Sequence, residues 1–282
     1  MIILCKTQNE LIHTRAEHQE VGFVPTMGNL HAGHISLLSQ ALNDYDVVYF
    51  SIFVNPKQFG PLEDFGKYPR TLENDLSLLK EELKKHPNKI LVVFAPESVD
   101  EVYKGFDKTI KVQGITEILE GEIRPGHFDG VTTVVYRLFE LVNPQTAYFG
   151  LKDYQQWAVI SAMVKQEKLN IKIVGMPIIR TPEGLALSSR NQYLTQEEKQ
   201  DALFIINTLN EIRDILNGLK NNIPLAQKLV EEKLKDPQWD YLTMRDHLTL
   251  SEDISNSQII TILAVYRMGT TRLLDNIQVE LK

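Results

Sequence analysis

The chain carries a single cysteine, Cys5, in 282 residues. One thiol forms no internal disulfide and builds no zinc ribbon or finger, so nothing indicates an oxidising compartment or a cysteine-based metal centre. Cys5 ends a short apolar start and reads as a buried packing residue. That start is too brief for the apolar core of a secretory signal. No apolar run approaches the ~18 residues that a membrane-crossing helix needs. The expected location is the cytoplasm, with no membrane partner. Basic residues are also short: Lys and Arg number 30 against 37 Asp and Glu, a net charge of -7. That balance speaks against a nucleic-acid partner. There is no GxGxxG, so the dinucleotide fingerprint is missing. Gly28 and Gly33 have the spacing of a P-loop, but His34 and Ile35 stand where Lys and Ser or Thr are required. No HExxH and no Cys/His cluster suggest zinc. What is present is an ordinary globular balance, 43% hydrophobic and 24% charged.

The first half alternates strand and helix patterns. Apolar runs at 21–24, 47–54, 90–94, 147–149 and 171–174 read as buried strands. Helical spacing is found at 33–43, 72–83, 128–141 and 154–165. Strands separated by helices of this length predict βαβ units and a mostly parallel sheet. The pattern changes after Pro182. A long helix is expected over 196–219, with Thr195 as its N-cap and Glu197 and Glu198 in its first turn. A second helix follows over 223–234, then short strands at 241–244, 259–266 and 271–274. The fold class is therefore α/β, a Rossmann-like parallel sheet over 1–180 with a smaller α+β domain over 181–282.

Four segments carry candidate chemistry. In PTMGNLHAGH (25–34) a strand ends, a glycine-bearing loop follows and a helix begins, which suits an anion. His31 and His34 lie at i and i+3 there. They can donate to charge developing on a phosphate, although a surface pair or a metal pair would have the same spacing. Ser188, Ser189 and Arg190 offer two hydroxyls and a cation on a glycine-flanked loop. FGLKDYQQ (149–156) follows a strand end, where α/β sheets bind ligands. Lys152 suits phosphate, and Asp153 suits either ribose hydroxyls or a helix cap. In SIFVNPKQF (51–59), Asn55 and Gln58 are neutral amides that can hold a small hydroxy acid, or they can simply form a turn. Arg124 and His127 are further loop candidates.

These segments, together with YPRT (68–71), RPGHF (124–128), LALSSRN (185–191) and LLDN (273–276), closely resemble the pantoate–β-alanine ligase family over nearly the whole chain. The resemblance implies a Rossmann-like nucleotide domain, a homodimer and an ATP- and Mg²⁺-dependent ligation of pantoate to β-alanine. It implies His34 as the catalytic proton donor and His31, Lys152, Ser188, Ser189 and Arg190 on the phosphates. The ATP loop would run through Met27, Gly28, Asn29, Leu30, Ala32 and Gly33. Gly150 and Asp153 would take ribose, and Ile179 and Leu187 would take adenine through backbone groups. Gln58 and Gln156 would hold pantoate, with Gln58 also near β-alanine. Asp75 is a candidate Mg²⁺ ligand. One departure stands at Leu151, in the ATP-binding segment, where the family commonly has Glu. Plain nucleotidyl transfer, a tRNA-charging enzyme and a silent nucleotide binder share parts of this pattern. The first has no need of Gln58 and Gln156, and the second needs a basic tRNA surface.

Overall fold

The computed structural model describes every residue except Leu62, Asp64, 219–221 and Lys282. It resolves into two compact units, one of residues 1–151 and 156–177 and the other of 152–155 and 178–282. The short segment from Lys152 to Gln155 thus belongs with the second unit, although the chain on either side of it belongs to the first.

The first unit is built on β1 (Ile2–Cys5), β2 (Gly22–Thr26), β3 (Val47–Ile52), β4 (Ile90–Phe94), β5 (Thr146–Gly150) and β6 (Lys172–Met176). All five pairings are parallel, in the order β1-β4-β3-β2-β5-β6. The crossovers carry α1 (Gln8–Ala16), α2 (Ala32–Asp44), α3 (Leu72–Lys84), α4 (Asp100–Tyr103), α5 (Glu120–Ile123), α6 (His127–Val142) and α7 (Tyr154–Gln166). Both sheet faces are covered, which is why the strands read as continuous apolar runs. Phe23, Tyr49, Val92 and Phe149 enter one core with α6, while Val24, Val48, Phe50 and Tyr148 enter the other with α2. Cys5 is buried in the first of these cores.

Strand β1 and helix α1 were not anticipated from the sequence. The strand is only 4 residues long, and α1 buries only Leu11. The four-residue helices α4 and α5 were not anticipated either, while the other elements of this unit match the predicted ones to within a few residues at their ends.

The strand order reverses between β2 and β5. In open α/β sheets that switch point, at the carboxyl ends of the strands, is where ligands bind. The loop after β2 carries His31 and His34, and the turn after β5 carries Gly150 and Leu151.

The second unit holds α8 (Gln196–Asp201), α9 (Leu203–Asn217), α10 (Ile223–Lys233) and an antiparallel sheet of β7 (Trp239–Asp246), β8 (Ile259–Met268) and β9 (Thr271–Glu280). Thr195 caps α8 as predicted, in a reciprocal box with Glu198. The single long helix expected over 196–219 is two helices. At Ala202 the bonding shortens to an i→i+3 link, Ile205 N–H to Ala202 C=O at 3.1 Å. The break separates the exposed Gln-Glu-Glu-Lys turn from the buried stripe of α9. The predicted end at Leu219 lies outside the described residues.

Helix α6 approaches a 3-10 turn over Pro56–Gln58 so closely that a Cβ on Gly130 would stand 2.2 Å from the Lys57 carbonyl oxygen. Gly130→Ala is therefore expected to cost about 1–3 kcal/mol of stability through forced backbone movement. Thermal unfolding of the purified variant measures it.

Candidate active site

The backbone turns sharply after β2. Gly28 and Asn29 both have positive φ, 83° and 52°, a conformation that glycine adopts without cost and asparagine at little. A buried carboxylate holds this turn. Asp75, on α3, accepts from Asn29 N–H at 3.0 Å and Leu30 N–H at 2.9 Å, and Thr71 donates its hydroxyl to the same group at 3.1 Å. The Asn29 and Leu30 amides, expected as anion donors, are thus already bonded to Asp75. Asp75, the sequence candidate for a Mg²⁺ ligand, has its carboxylate engaged by the loop. Its position carried a hint: Asp75 falls on the buried stripe of α3 with Leu79 and Glu82, where a carboxylate must have partners.

Helix α2 begins at His31, its N-cap. Gly33 N–H donates to His31 Nδ1 at 3.1 Å, and His31 N–H donates to His34 Nδ1 at 3.3 Å. This is a reciprocal cap made by two imidazoles in place of the usual hydroxyl and carboxylate. Because each Nδ1 accepts, each neutral ring carries its proton on Nε2. The ring centroids lie 4.1 Å apart. Gly33 leaves room for this, since a Cβ there would come within 2.8 Å of the His31 ring. The arrangement provides two Nε2–H donors at the positive end of a helix, at the switch point of the sheet.

Gln58 is buried at the end of the turn after β3. Its carboxamide oxygen accepts from Asn55 Nδ2 at 3.3 Å, and its nitrogen lies 3.0 Å from the Met27 sulfur. Asn55 also donates to Gly130 C=O at 3.1 Å and accepts from the Tyr103 hydroxyl at 2.9 Å. The oxygen of Gln58 is therefore turned inward and its NH₂ is held beside the loop that carries the histidines. The sequence pattern left Asn55 and Gln58 open between a turn and a binding pair; the structure makes Asn55 the cap of the turn and the support of Gln58.

Behind Gln58, His127 Nδ1 donates to its backbone carbonyl at 2.8 Å, and Arg124 Nη1 donates to His127 Nε2 at 3.0 Å. Arg124 grips Glu63 with two bonds of 2.7 Å. Burial and the adjacent Arg124 charge push the His127 pKa down to about 4. Arg124 holds the Glu63 carboxyl below its ordinary value. Arg124 and His127, the further loop candidates of the sequence, are joined here to each other, to Glu63 and to the Gln58 backbone.

In the turn after β5, the Leu151 side chain covers Gly175 of β6. A Cβ on that glycine would lie 2.6 Å from Leu151 Cδ2. Gln156 is half-buried in the first turn of α7.

The second unit carries the remaining candidates. Lys152, Ser188 and Arg190 line one cavity with Asp275. Lys152 Nζ donates to the Asp153 carboxylate at 2.6 Å. Ser188 caps the 3-10 turn Ser189–Tyr193, accepting from Arg190 N–H. Leu187 N–H donates to Ile179 C=O at 2.9 Å, which holds the two backbone segments expected at adenine side by side. Among the described residues no group of three or more His, Cys, Asp or Glu is placed to hold a metal ion. No described helix is long and apolar enough to cross a membrane.

A parallel α/β sheet with a histidine-capped helix at its switch point defines an enzyme that acts on nucleotide phosphates. The comparisons narrow this class. A family model described as Pantoate-beta-alanine ligase matches residues 4–278. A pantothenate synthetase of Hydrogenovibrio crunogenus is 46% identical, over 93% of this chain and 92% of its own. One of Caldicellulosiruptor saccharolyticus is 45% identical, over 94% of each. The crystal structure of the Thermus thermophilus enzyme matches with a TM-score of 0.88 at 41% identity, over 98% of this chain and 99% of that one. A Francisella tularensis pantoate–β-alanine ligase, complexed with an ATP ligand and β-alanine, matches with a TM-score of 0.76 at 33% identity, over 98% and 97%. The chain belongs to the pantoate–β-alanine ligase family.

Two outcomes follow from these contacts. Asp75→Asn replaces one accepting oxygen by a donor facing a backbone N–H, and should cost about 1–3 kcal/mol in urea unfolding. His127 gives a pH signature. Unfolded, the ring takes a proton near its ordinary 6.5, but folded only near 4. The unfolded chain therefore binds more protons between these values, and stability falls as pH is lowered from about 6.5 towards 4. His127→Asn should flatten that part of the stability–pH curve, measured by urea titrations across the range.

Proposed function

We infer that the chain condenses (R)-pantoate with β-alanine at the expense of ATP, giving pantothenate, AMP and diphosphate through a pantoyl adenylate. The observation that carries this reading is the histidine pair whose Nδ1 atoms are occupied by the helix cap. A carboxylate does not acylate an amine at neutral pH, so pantoate must first be activated. Its carboxylate oxygen attacks the α-phosphorus of ATP, and the bond to diphosphate breaks. The β-alanine nitrogen then attacks the acyl carbon, the bond to AMP breaks, and the nitrogen gives up a proton.

In the first step, negative charge grows on the phosphates. The Nε2–H groups of His31 and His34 donate to that charge, with His34 as the proton donor of the reaction. Lys152, Arg190, Ser188 and Ser189 take the phosphates, Gly150 and Asp153 the ribose, and Ile179 and Leu187 the adenine. The Gln58 NH₂ and Gln156 hold pantoate, with Gln58 also at the β-alanine position. Activation of the acid needs no protein nucleophile. Mg²⁺ belongs to this reading as an ion carried on the ATP phosphates, where it supplies charge neutralisation; the chain's own residues do the positioning. Cytoplasmic location, a homodimer, and a division into a nucleotide and pantoate domain over 1–180 and a C-terminal domain over 181–282 complete the reading. Family membership supports it, as does the binding of an ATP ligand and β-alanine by the Francisella relative.

The test is exchange of labelled diphosphate into ATP with pantoate present and β-alanine absent. Pantoate-dependent exchange is expected, and His34→Ala should slow it by ~10²-fold or more while leaving the protein folded. A folded, ATP-binding protein that exchanges nothing with pantoate would overturn the assignment. Nucleotide transfer to another acceptor without amide formation would point to the nucleotidyltransferase alternative.

A further inference from the structure

Two adjacent residues of β9, Asp275 and Asn276, are almost completely buried although both are polar. Such groups persist in a core only when bonded, and their bonds lead to two separate chain segments. Asn276 Nδ2 donates to the Lys152 carbonyl at 3.0 Å. Asp275 receives a bidentate grip from Arg180, 2.7 Å to each oxygen. The Asn276 backbone N–H donates to Asp275 as well, at 2.7 Å. Arg180 stands at the base of a tight hairpin. It forms a bridge with Ala186 and also donates to Gly184 C=O at 3.0 Å. Thr181 N–H to Leu185 C=O and Leu187 N–H to Ile179 C=O, at 2.8 and 2.9 Å, close that hairpin. Its outgoing arm runs directly into Ser188, Ser189 and Arg190.

One strand thus fixes both ends of the candidate phosphate site in this unit. Asn276 sets the backbone from which Lys152 projects. Asp275 sets, through Arg180, the hairpin that delivers the Ser-Ser-Arg turn. Lys152, Ser188, Arg190 and Asp275 line the same cavity. The Asp275 charge on that wall would repel a phosphate, and the paired Arg180 guanidinium neutralises it. A bond to the Lys152 backbone fixes where its side chain starts without consuming an N–H of the ammonium, which also meets Asp153.

We propose that Asp275 and Asn276 are positioning residues for the nucleotide phosphates, acting through Arg180 and the Lys152 backbone. The proposal rests on the reading of Lys152 and Arg190 as phosphate ligands. The test uses Asn276→Ala and Asp275→Asn in the full chain, with Asn276→Ser as the milder variant should alanine prevent folding. Pantoate-dependent diphosphate–ATP exchange gives KM for each substrate, and thermal unfolding reports the fold. KM for ATP should rise about tenfold, while KM for pantoate stays within about twofold because the pantoate amides lie elsewhere. In a Lys152→Ala background, Asn276→Ala should add less than about twofold to KM for ATP, because the two act as one unit. If Asn276→Ala keeps its full factor in that background, or raises both KM values alike, the proposal is overturned. If Lys152→Ala alone leaves KM for ATP unchanged, it is the underlying phosphate reading that has failed.

Discussion

The first unit's ligand edge turns on which nitrogen of two imidazoles carries the proton. Histidine in water exchanges freely between its two neutral forms. At the start of α2 that freedom is gone, because the Gly33 and His31 amides each take an Nδ1 as acceptor. The helix cap and the proton inventory of the site are therefore the same set of bonds. A hydroxyl or carboxylate could cap the helix equally well, but neither would then present a ring N–H to a phosphate. This double use explains the other constraints nearby: no side chain at residue 33, the left-handed turn at 28 and 29, and a buried carboxylate to hold that turn.

Asp75 shows how charge is distributed around such a site. A helix terminus and a string of amides attract anions from any source. Here the protein supplies a carboxylate of its own, bonded to two successive amides of the turn. The next donors along, on the imidazoles, belong to the helix cap and not to this carboxylate. A parallel economy is seen around Gln58. Its oxygen is tied back to Asn55 and its backbone to His127, so the carboxamide offers its NH₂ and not its carbonyl. An amide held this way presents donors to a carboxylate, where a flipped one would present its carbonyl.

Much of this was legible in the residues. The parallel strands announced themselves because burial on both faces forces unbroken apolar runs. The histidine loop was legible because glycine, strand end and helix start coincide. Thr195 was legible as a cap because its chemistry is local. The misses were of a different kind. Strand β1 is short and α1 buries a single leucine, so neither leaves a periodic trace. The break at Ala202 is hidden because alanine suits a helix on either side of it. Asp75 was marked as an acid that mattered, but its partners lie 45 and 46 positions earlier in the chain, and no local pattern reveals them. The same holds for Asp275, whose partner Arg180 is 95 positions away. Spacing reveals what a residue does along its own element; the fold alone reveals which amide or guanidinium a buried acid meets.

Leu151 takes on another meaning beside Gly175. The two positions share one volume at the sheet edge: a Cβ on residue 175 would meet Leu151 Cδ2 at 2.6 Å and the Trp157 ring nitrogen at 3.1 Å. A side chain at 175 has to displace the end of the leucine, so the residue that stands at 151 also sets how much room is left over the neighbouring strand.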